Sequence, residues 1–118
     1  MKRTYLLLEE IHDMRSIYLK AIKKQHKVWR QYFANTNKLR RYLQEHPADL
    51  KKKAEYDKYM CLRVTAYDIE QKLTEEREEL YRFARGKKNR DQKRMKYLIK
   101  RYKDLKEWIQ EDWRLEVE

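Results

Sequence analysis

Residues 14–44 read MRSIYLKAIKKQHKVWRQYFANTNKLRRYLQ and lie within an apolar row whose spacing alternates between four and three residues. Nine of its eleven positions are apolar, and the row runs Leu7, Ile11, Met14, Tyr18, Ala21, Gln25, Val28, Tyr32, Asn35, Leu39 and Tyr42. Such a heptad pattern is typical of a helix with one buried side. A second row beside it (Ile17, Ile22, Trp29 and Phe33) widens the stripe to what a helix inside a bundle needs. The pattern predicts a helix over about 4–45. The candidate place for a break is 34–37 (ANTN), because Asn and Thr prefer caps to helix interiors.

Two breaks in the pattern divide the rest of the chain. In EHPADL (45–50), Pro47 suits a first helical position and Asp49 then falls in the first turn, so a second helix is predicted over about 47–85. Gly86 suits a helix C-terminus, and Asn89 with Gln92 resembles a capping box, so a third helix is predicted over about 90–116. The seam of the second helix is Tyr59, Leu62, Ala66, Ile69, Leu73, Glu76, Leu80 and Phe83. Its first half has a second apolar face, predicted to be covered as well, made of Tyr56, Met60, Val64 and Tyr67.

The composition agrees with long helices. The chain has 118 residues, one Gly and one Pro, and 43% of its residues are charged. Short connections favour antiparallel neighbours. The predicted fold is therefore all-α: a single domain over 1–118 with three long helices in an up-down-up bundle and coiled-coil-like packing, with a homodimer as an open alternative. No apolar run approaches the length that a membrane span needs. The lone Cys61 is expected to be a buried thiol in a reducing cytoplasm.

Charge is distributed unevenly along the chain. Residues 14–44 hold nine Lys and Arg and no Asp or Glu, and the whole chain carries a formal charge of +11. Acids dominate the second helix, so the bases of the first helix could simply pair with them. Such pairing needs bases at the e and g positions beside the seam. Six of the nine bases fall at b, c and f instead, so they are predicted to face outward.

The outward bases form two rows with the spacing i, i+3, i+7, i+10, which places each row on one face of its helix. We expect both rows to contact phosphates of DNA or RNA, because lysine is a compact point charge suited to that role. The predicted nucleic-acid-binding residues are Lys20, Lys23, Lys27, Arg30, Arg41, Lys87, Lys88, Arg90, Lys93, Lys96, Lys100 and Lys103. Tyr97 lies within the third-helix row, where it could stack on a base or cover lysine stems.

The alternative partner is an acidic protein, on which the same basic face would dock to inhibit or assemble it. A third possibility uses Arg41 and His46, whose R-x4-H spacing resembles that of small helical ribonuclease toxins of the HEPN class. The single Glu9-x-x-His12 pair is too few for a di-iron site, and the chain has no Gly-rich phosphate loop and no nucleophilic triad. The chain is therefore predicted to be a non-enzymatic accessory protein with no cofactor and no metal.

Overall fold

The structure is a computed structural model that describes residues 8–84 and 92–114, and its regular elements there are three α-helices. Helix α1 spans Leu8–Glu45, α2 spans Leu50–Ala84 and α3 spans Gln92–Trp108. No strand occurs in these two ranges. The all-α prediction is confirmed, and so is the end of the first helix at residue 45. Gly86 and Asn89, which were expected to separate α2 from α3, lie outside the described residues.

The backbone groups into two compact units, and both long helices contribute to each. The first unit contains Met1–Lys24 and Gln71–Asp112, and the second contains Gln25–Glu70 and Trp113–Glu118. The predicted single domain over 1–118 stays a prediction.

The first unit holds a continuous apolar core built from all three helices. Its buried cluster consists of Ile11, Met14, Tyr18, Ala21, Leu73, Leu80, Phe83, Leu98 and Leu105. All of these except Leu105 are at most 3% exposed. Every α1 and α2 member of the cluster lies on a predicted seam. Arg94 of α3 contacts Glu79 and the later Arg101 contacts the earlier Glu76, so α3 runs opposite to α2. These contacts fit the predicted up-down-up arrangement.

The second unit is a hairpin of the second half of α1 and the first half of α2. Tyr32 lies beside Tyr59, with ring centroids 6.2 Å apart, and Gln25 donates a hydrogen bond to the carbonyl of Ala66 at 3.2 Å. The later α1 residue meets the earlier α2 residue, so the two helices are antiparallel here. Polar residues take part in this interior, because Gln25, Asn35 and Thr36 are all buried.

Helix α1 continues through the ANTN segment, so the candidate break at 34–37 is wrong. The Thr36 hydroxyl donates to the carbonyl of Tyr32 at 2.6 Å, one turn earlier, which satisfies the side chain inside the helix. Asn35 and Thr36 are 8% and 2% exposed, so tertiary packing holds both in the hairpin. At these two positions, burial outweighs the low intrinsic helix propensity of Asn and Thr.

Helix α2 begins at Leu50, three residues later than the predicted start at Pro47. The reason is that Asp49 acts as the N-cap instead of occupying the first turn. Its Oδ1 accepts a hydrogen bond from the backbone N–H of Lys52 at 3.1 Å, the N3 position of a capped helix. Its Oδ2 accepts a hydrogen bond from the Tyr42 hydroxyl at 2.8 Å, which ties the end of α1 to the start of α2.

The cap makes a pH-dependent contribution to stability. The Lys52 N–H and then the Tyr42 hydroxyl lower the pKa of Asp49 below its ordinary value of 3.8. A lowered folded-state pKa stabilises the native chain above the unfolded pKa, and this contribution is lost as pH falls through the folded value.

We predict that Asp49→Ala lowers the thermal midpoint by a few degrees near neutral pH, because the Lys52 N–H loses its acceptor. Asp49→Asn is the matched control, since Asn caps as well as Asp but does not ionise in this range. The stability difference between wild type and Asp49→Asn should stay constant above about pH 5 and shrink as the pH falls below about 4. A pH-independent difference would contradict the role of the carboxylate.

Helix α3 ends at Trp108, eight residues before the predicted end at 116. The N–H groups of Gln110 and Glu111 bond three residues back, to Glu107 and Trp108, which tightens the chain after the helix. Three acids, Glu107, Glu111 and Asp112, crowd a helix end where the macrodipole disfavours negative charge. Lys24 supplies the compensating cation, since its Nζ donates to the carbonyl oxygens of Trp108 and, at 2.5 Å, Glu111.

Two expectations about burial on α2 are wrong. Cys61 is exposed, because it lies on the side of the helix away from the Tyr59 and Ala66 seam. The second apolar face is not fully covered within the described chain, since Val64 is 55% exposed and Tyr67 is 50% exposed. The sequence pattern identified this face, but a pattern does not say which molecule covers it.

We predict that Cys61 reacts stoichiometrically with a thiol reagent such as DTNB in native buffer. Denaturant should add little to the reactive fraction, because no unfolding is needed to reach an exposed sulfur. A thiol that reacts only after unfolding would contradict this placement.

Candidate nucleic-acid interface

The α3 row stands on the side of the helix opposite its buried residues. Met95, Leu98 and Leu105 face the core of the first unit. The four row residues, at the spacing i, i+3, i+7, i+10, are all exposed: Lys93, Lys96, Lys100 and Lys103. At 1.5 Å per residue, this row is ~15 Å long.

The α1 row is exposed as well. Lys20 and Lys23 belong to the first unit, where they alternate with the buried Tyr18 and Ala21. Lys27, Arg30 and Arg41 belong to the second unit and are also exposed. The α1 cations predicted to face outward therefore do so.

Within residues 8–84 and 92–114, none of these nine exposed cations makes a salt bridge or a side-chain hydrogen bond. The other three predicted residues, Lys87, Lys88 and Arg90, lie outside the described residues. Internal pairing with the acids of α2 therefore does not account for the lysine rows. Their positive charge is left to the solvent.

Two arginines of α3 pair with acids of α2 instead. Arg94 Nε donates to Glu79 Oε1 at 2.7 Å. Arg101 donates to Glu76 Oε1 through Nε at 3.3 Å and through Nη2 at 3.2 Å. The hydrogen bond that Arg94 donates to Glu79 raises the pKa of Arg94. Burial opposes the charge of Arg101, but the hydrogen bond and charge of Glu76 outweigh it, so the pKa of Arg101 is raised.

Glu76 lies at the centre of a buried polar cluster that the sequence interpretation missed. It is 1% exposed and Tyr18 is fully enclosed. Burial first, and then the charge of Glu76, raise the pKa of the Tyr18 hydroxyl. Two signals could have found the cluster: a Glu within an apolar seam, and the seven-residue spacing of Arg94 and Arg101 at g positions of α3.

We predict that Arg101→Met lowers the free energy of unfolding by roughly 2–3 kcal/mol, because it leaves the Glu76 carboxylate buried without its cation. The double variant Glu76→Leu with Arg101→Met should return to within about 1 kcal/mol of wild type, since the buried carboxylate and its half-buried cation are then both removed. Urea unfolding measures both values.

Arg94→Met is the matched control for this prediction. Its partner Glu79 keeps 15% of its side chain exposed and Arg94 keeps 39%, so the loss should stay below about 1 kcal/mol. Equal losses for Arg94→Met and Arg101→Met would contradict a special role for the buried pair.

Tyr97 does not present a free ring to a ligand. It is half-buried against the core of the first unit, and the Arg94 guanidinium lies over its ring at 4.5 Å from the centroid. The cation that covers it is an arginine, not a row lysine. The structure therefore gives no support to the suggested stacking of Tyr97 on a base.

The residues of the ribonuclease-like pattern lie at the end of α1. Arg41 is exposed, and the His46 ring packs against Tyr42 with centroids 4.4 Å apart. Among the described residues, no three His, Cys, Asp or Glu side chains converge in a way that could hold a metal ion. No helix in the described part of the chain has the length and apolar character of a membrane span.

Comparison of the chain with protein-family models, with curated proteins and with solved structures found no match. The functional inference therefore comes from the residues of the chain itself.

Proposed function

We propose that the chain is a non-enzymatic nucleic-acid-binding protein that contacts phosphates through the exposed cations of α1 and α3. The observation that carries the proposal is that the described cations include two groups, those paired with carboxylates and those exposed without an ion pair. Arg94 and Arg101 are engaged by carboxylates of α2, whereas nine predicted contact residues are exposed and make no ion pair in the described chain. A polyanion is the partner that such rows fit best, given the excess charge of +11.

The geometry of the first unit supports a longer basic strip than either row alone. Lys24 contacts the C-terminal end of α3 at Trp108, and Tyr18 lies near Arg101. α1 therefore runs parallel to α3, with Lys20 near the level of Lys103. Lys23 follows one turn beyond. The α3 row with Lys20 and Lys23 then spans ~20 Å along the helices, more than half of the ~34 Å turn of duplex DNA.

Repulsion within the rows also favours an anionic partner. Like charges three and four residues apart on a helix each destabilise it by a few tenths of a kcal/mol. Neutralisation by phosphates removes this repulsion and releases counterions from the nucleic acid. Contacts of this kind position the protein without reading bases, so binding should show little sequence preference.

We predict that short labelled oligonucleotides bind the purified protein with log affinity falling against log salt at a slope near −5, for about five or six phosphates engaged. Single-stranded DNA, duplex DNA and RNA of equal length, each titrated at two salt concentrations, identify the preferred form. Failure to bind any of them at low salt would sink the proposal. Tight binding of an acidic protein in that case would favour the interaction-module alternative.

A charge-matched pair of variants tests the site itself. Lys96→Gln with Lys100→Gln should weaken binding by about tenfold or more and lower the salt slope by about 2, because two phosphate contacts are lost. Lys51→Gln with Lys72→Gln removes the same charge from exposed positions of α2 outside the rows and should change affinity much less. Equal weakening by the two pairs would show that net charge alone matters.

A cytoplasmic setting is part of the proposal. The single Cys61 is exposed, and an exposed thiol persists unpaired in a reducing compartment.

A further inference from the structure

One side of the second unit carries an apolar patch, which we name the aromatic face. Helix α1 contributes His26, Trp29 and Phe33, whose rings stack in succession with centroids 5.5 and 5.2 Å apart. Helix α2 contributes Met60, Val64 and Tyr67. Two contacts between the helices place both sets on the same side of the hairpin: Arg63 lies over the Phe33 ring at 4.5 Å, and His26 Nδ1 lies 3.1 Å from Glu70 Oε1.

The second unit is short of buried apolar surface. In the described chain, ten of the fourteen buried hydrophobic residues belong to the first unit, and the second has only Val28, Leu39, Tyr59 and Ala66. Exposed large hydrophobic residues are concentrated in the second unit instead. Six of the nine exposed large hydrophobic residues lie in the second unit, namely Phe33, Tyr42, Leu50, Val64, Tyr67 and Ile69. A two-helix hairpin rarely buries enough surface alone, and packing it on another pair of helices supplies the missing layer.

The charges around the aromatic face point to a second copy of this chain as the occupant. On α1, Arg30 follows His26 by four residues and Arg40 follows Phe33 by seven, so both lie at the edge of the face. On α2, Asp57 precedes Val64 by seven residues and Asp68 follows it by four. All four residues are exposed.

The α1 edge carries cations and no acid, whereas the α2 edge carries charges of both signs. On α2, Asp57 lies 3.6 Å from Lys53, Arg63 is engaged with Phe33, and Asp68 adds a further carboxylate. Packing α1 of one copy on α2 of another brings opposite charges together, whereas packing α1 on α1 brings like charges together.

We infer that the aromatic face is the interface of a homodimer in which α1 of each copy packs against α2 of the other. Two hairpins then form an antiparallel four-helix bundle around Trp29, Phe33, Val64 and Tyr67. The contact is isologous, so it closes at two copies and does not extend into a filament. Apart from Arg30 at its edge, this face includes none of the proposed phosphate contacts, and the oligomeric state is measured without nucleic acid.

Light scattering coupled to size exclusion should give twice the chain mass at micromolar to millimolar concentrations. Val64→Glu with Tyr67→Glu should raise the dimer dissociation constant by about 100-fold or more, because each carboxylate would be buried in an apolar interface. Ala54→Glu with Thr65→Glu adds the same charge to exposed positions on another side of α2 and should leave the dimer intact.

The wild-type chain gives a second readout that does not depend on any variant. Its thermal midpoint should rise with protein concentration, because association stabilises only the folded state. A monomer at all concentrations with a constant midpoint would overturn the inference. So would a dimer that the Val64 and Tyr67 substitutions leave unchanged, since the contact would then use another surface. Loss of oligonucleotide binding by that double variant, with a monomeric wild type, would assign the aromatic face to nucleic acid instead.

Discussion

The buried carboxylate of Glu76 is the constraint on which the charge pattern of this protein depends. A carboxylate that is 1% exposed is costly unless a cation satisfies it, and Arg101 supplies that cation from α3. A planar guanidinium can stay half-buried while it donates two hydrogen bonds, which a lysine ammonium does less well. Arg94 and Arg101 are engaged by α2, whereas the α3 lysines Lys93, Lys96, Lys100 and Lys103 make no ion pair in the described chain. They stand on the opposite face, and the basic surface follows from this assignment.

The two units differ in how much of their apolar surface is buried within the described chain. The first unit combines three helices, a continuous apolar core and paired buried charges. The second is a hairpin whose interior includes Gln25, Asn35 and Thr36 and whose outer side exposes Phe33, Val64 and Tyr67. The proposed phosphate contacts lie on both units, whereas the proposed dimer contact uses the apolar side chains of the second unit alone. These are different kinds of recognition, and separate substitutions can test them.

The heptad spacing was enough to predict the helices, the outward position of the lysines and most seam residues, because helix period determines which side chains share a face. Tyr42 and Ile69 were predicted on the seams but are exposed. Boundaries were predicted less well, since they depend on individual hydrogen bonds. Asp49 caps α2 through the Lys52 N–H, and Lys24 caps the carbonyl end of α3 from a distant part of the chain. The ANTN segment stays helical because packing buries Asn35 and Thr36, which no local preference reveals. The exposure of Tyr67 depends on whether another element packs over it, and a single sequence does not fix that.

Salt dependence of the chain's own stability tests most directly whether the lysine rows lack internal partners. Urea unfolding would be measured from low to high sodium chloride at one protein concentration, without nucleic acid. Screening weakens repulsion between exposed like charges and hardly reaches the buried Glu76–Arg101 pair. Unpaired rows therefore predict that the free energy of unfolding rises as salt is added. A steady fall with salt would mean that attractive surface pairs dominate, and the lysines would then be bound to the chain's own carboxylates.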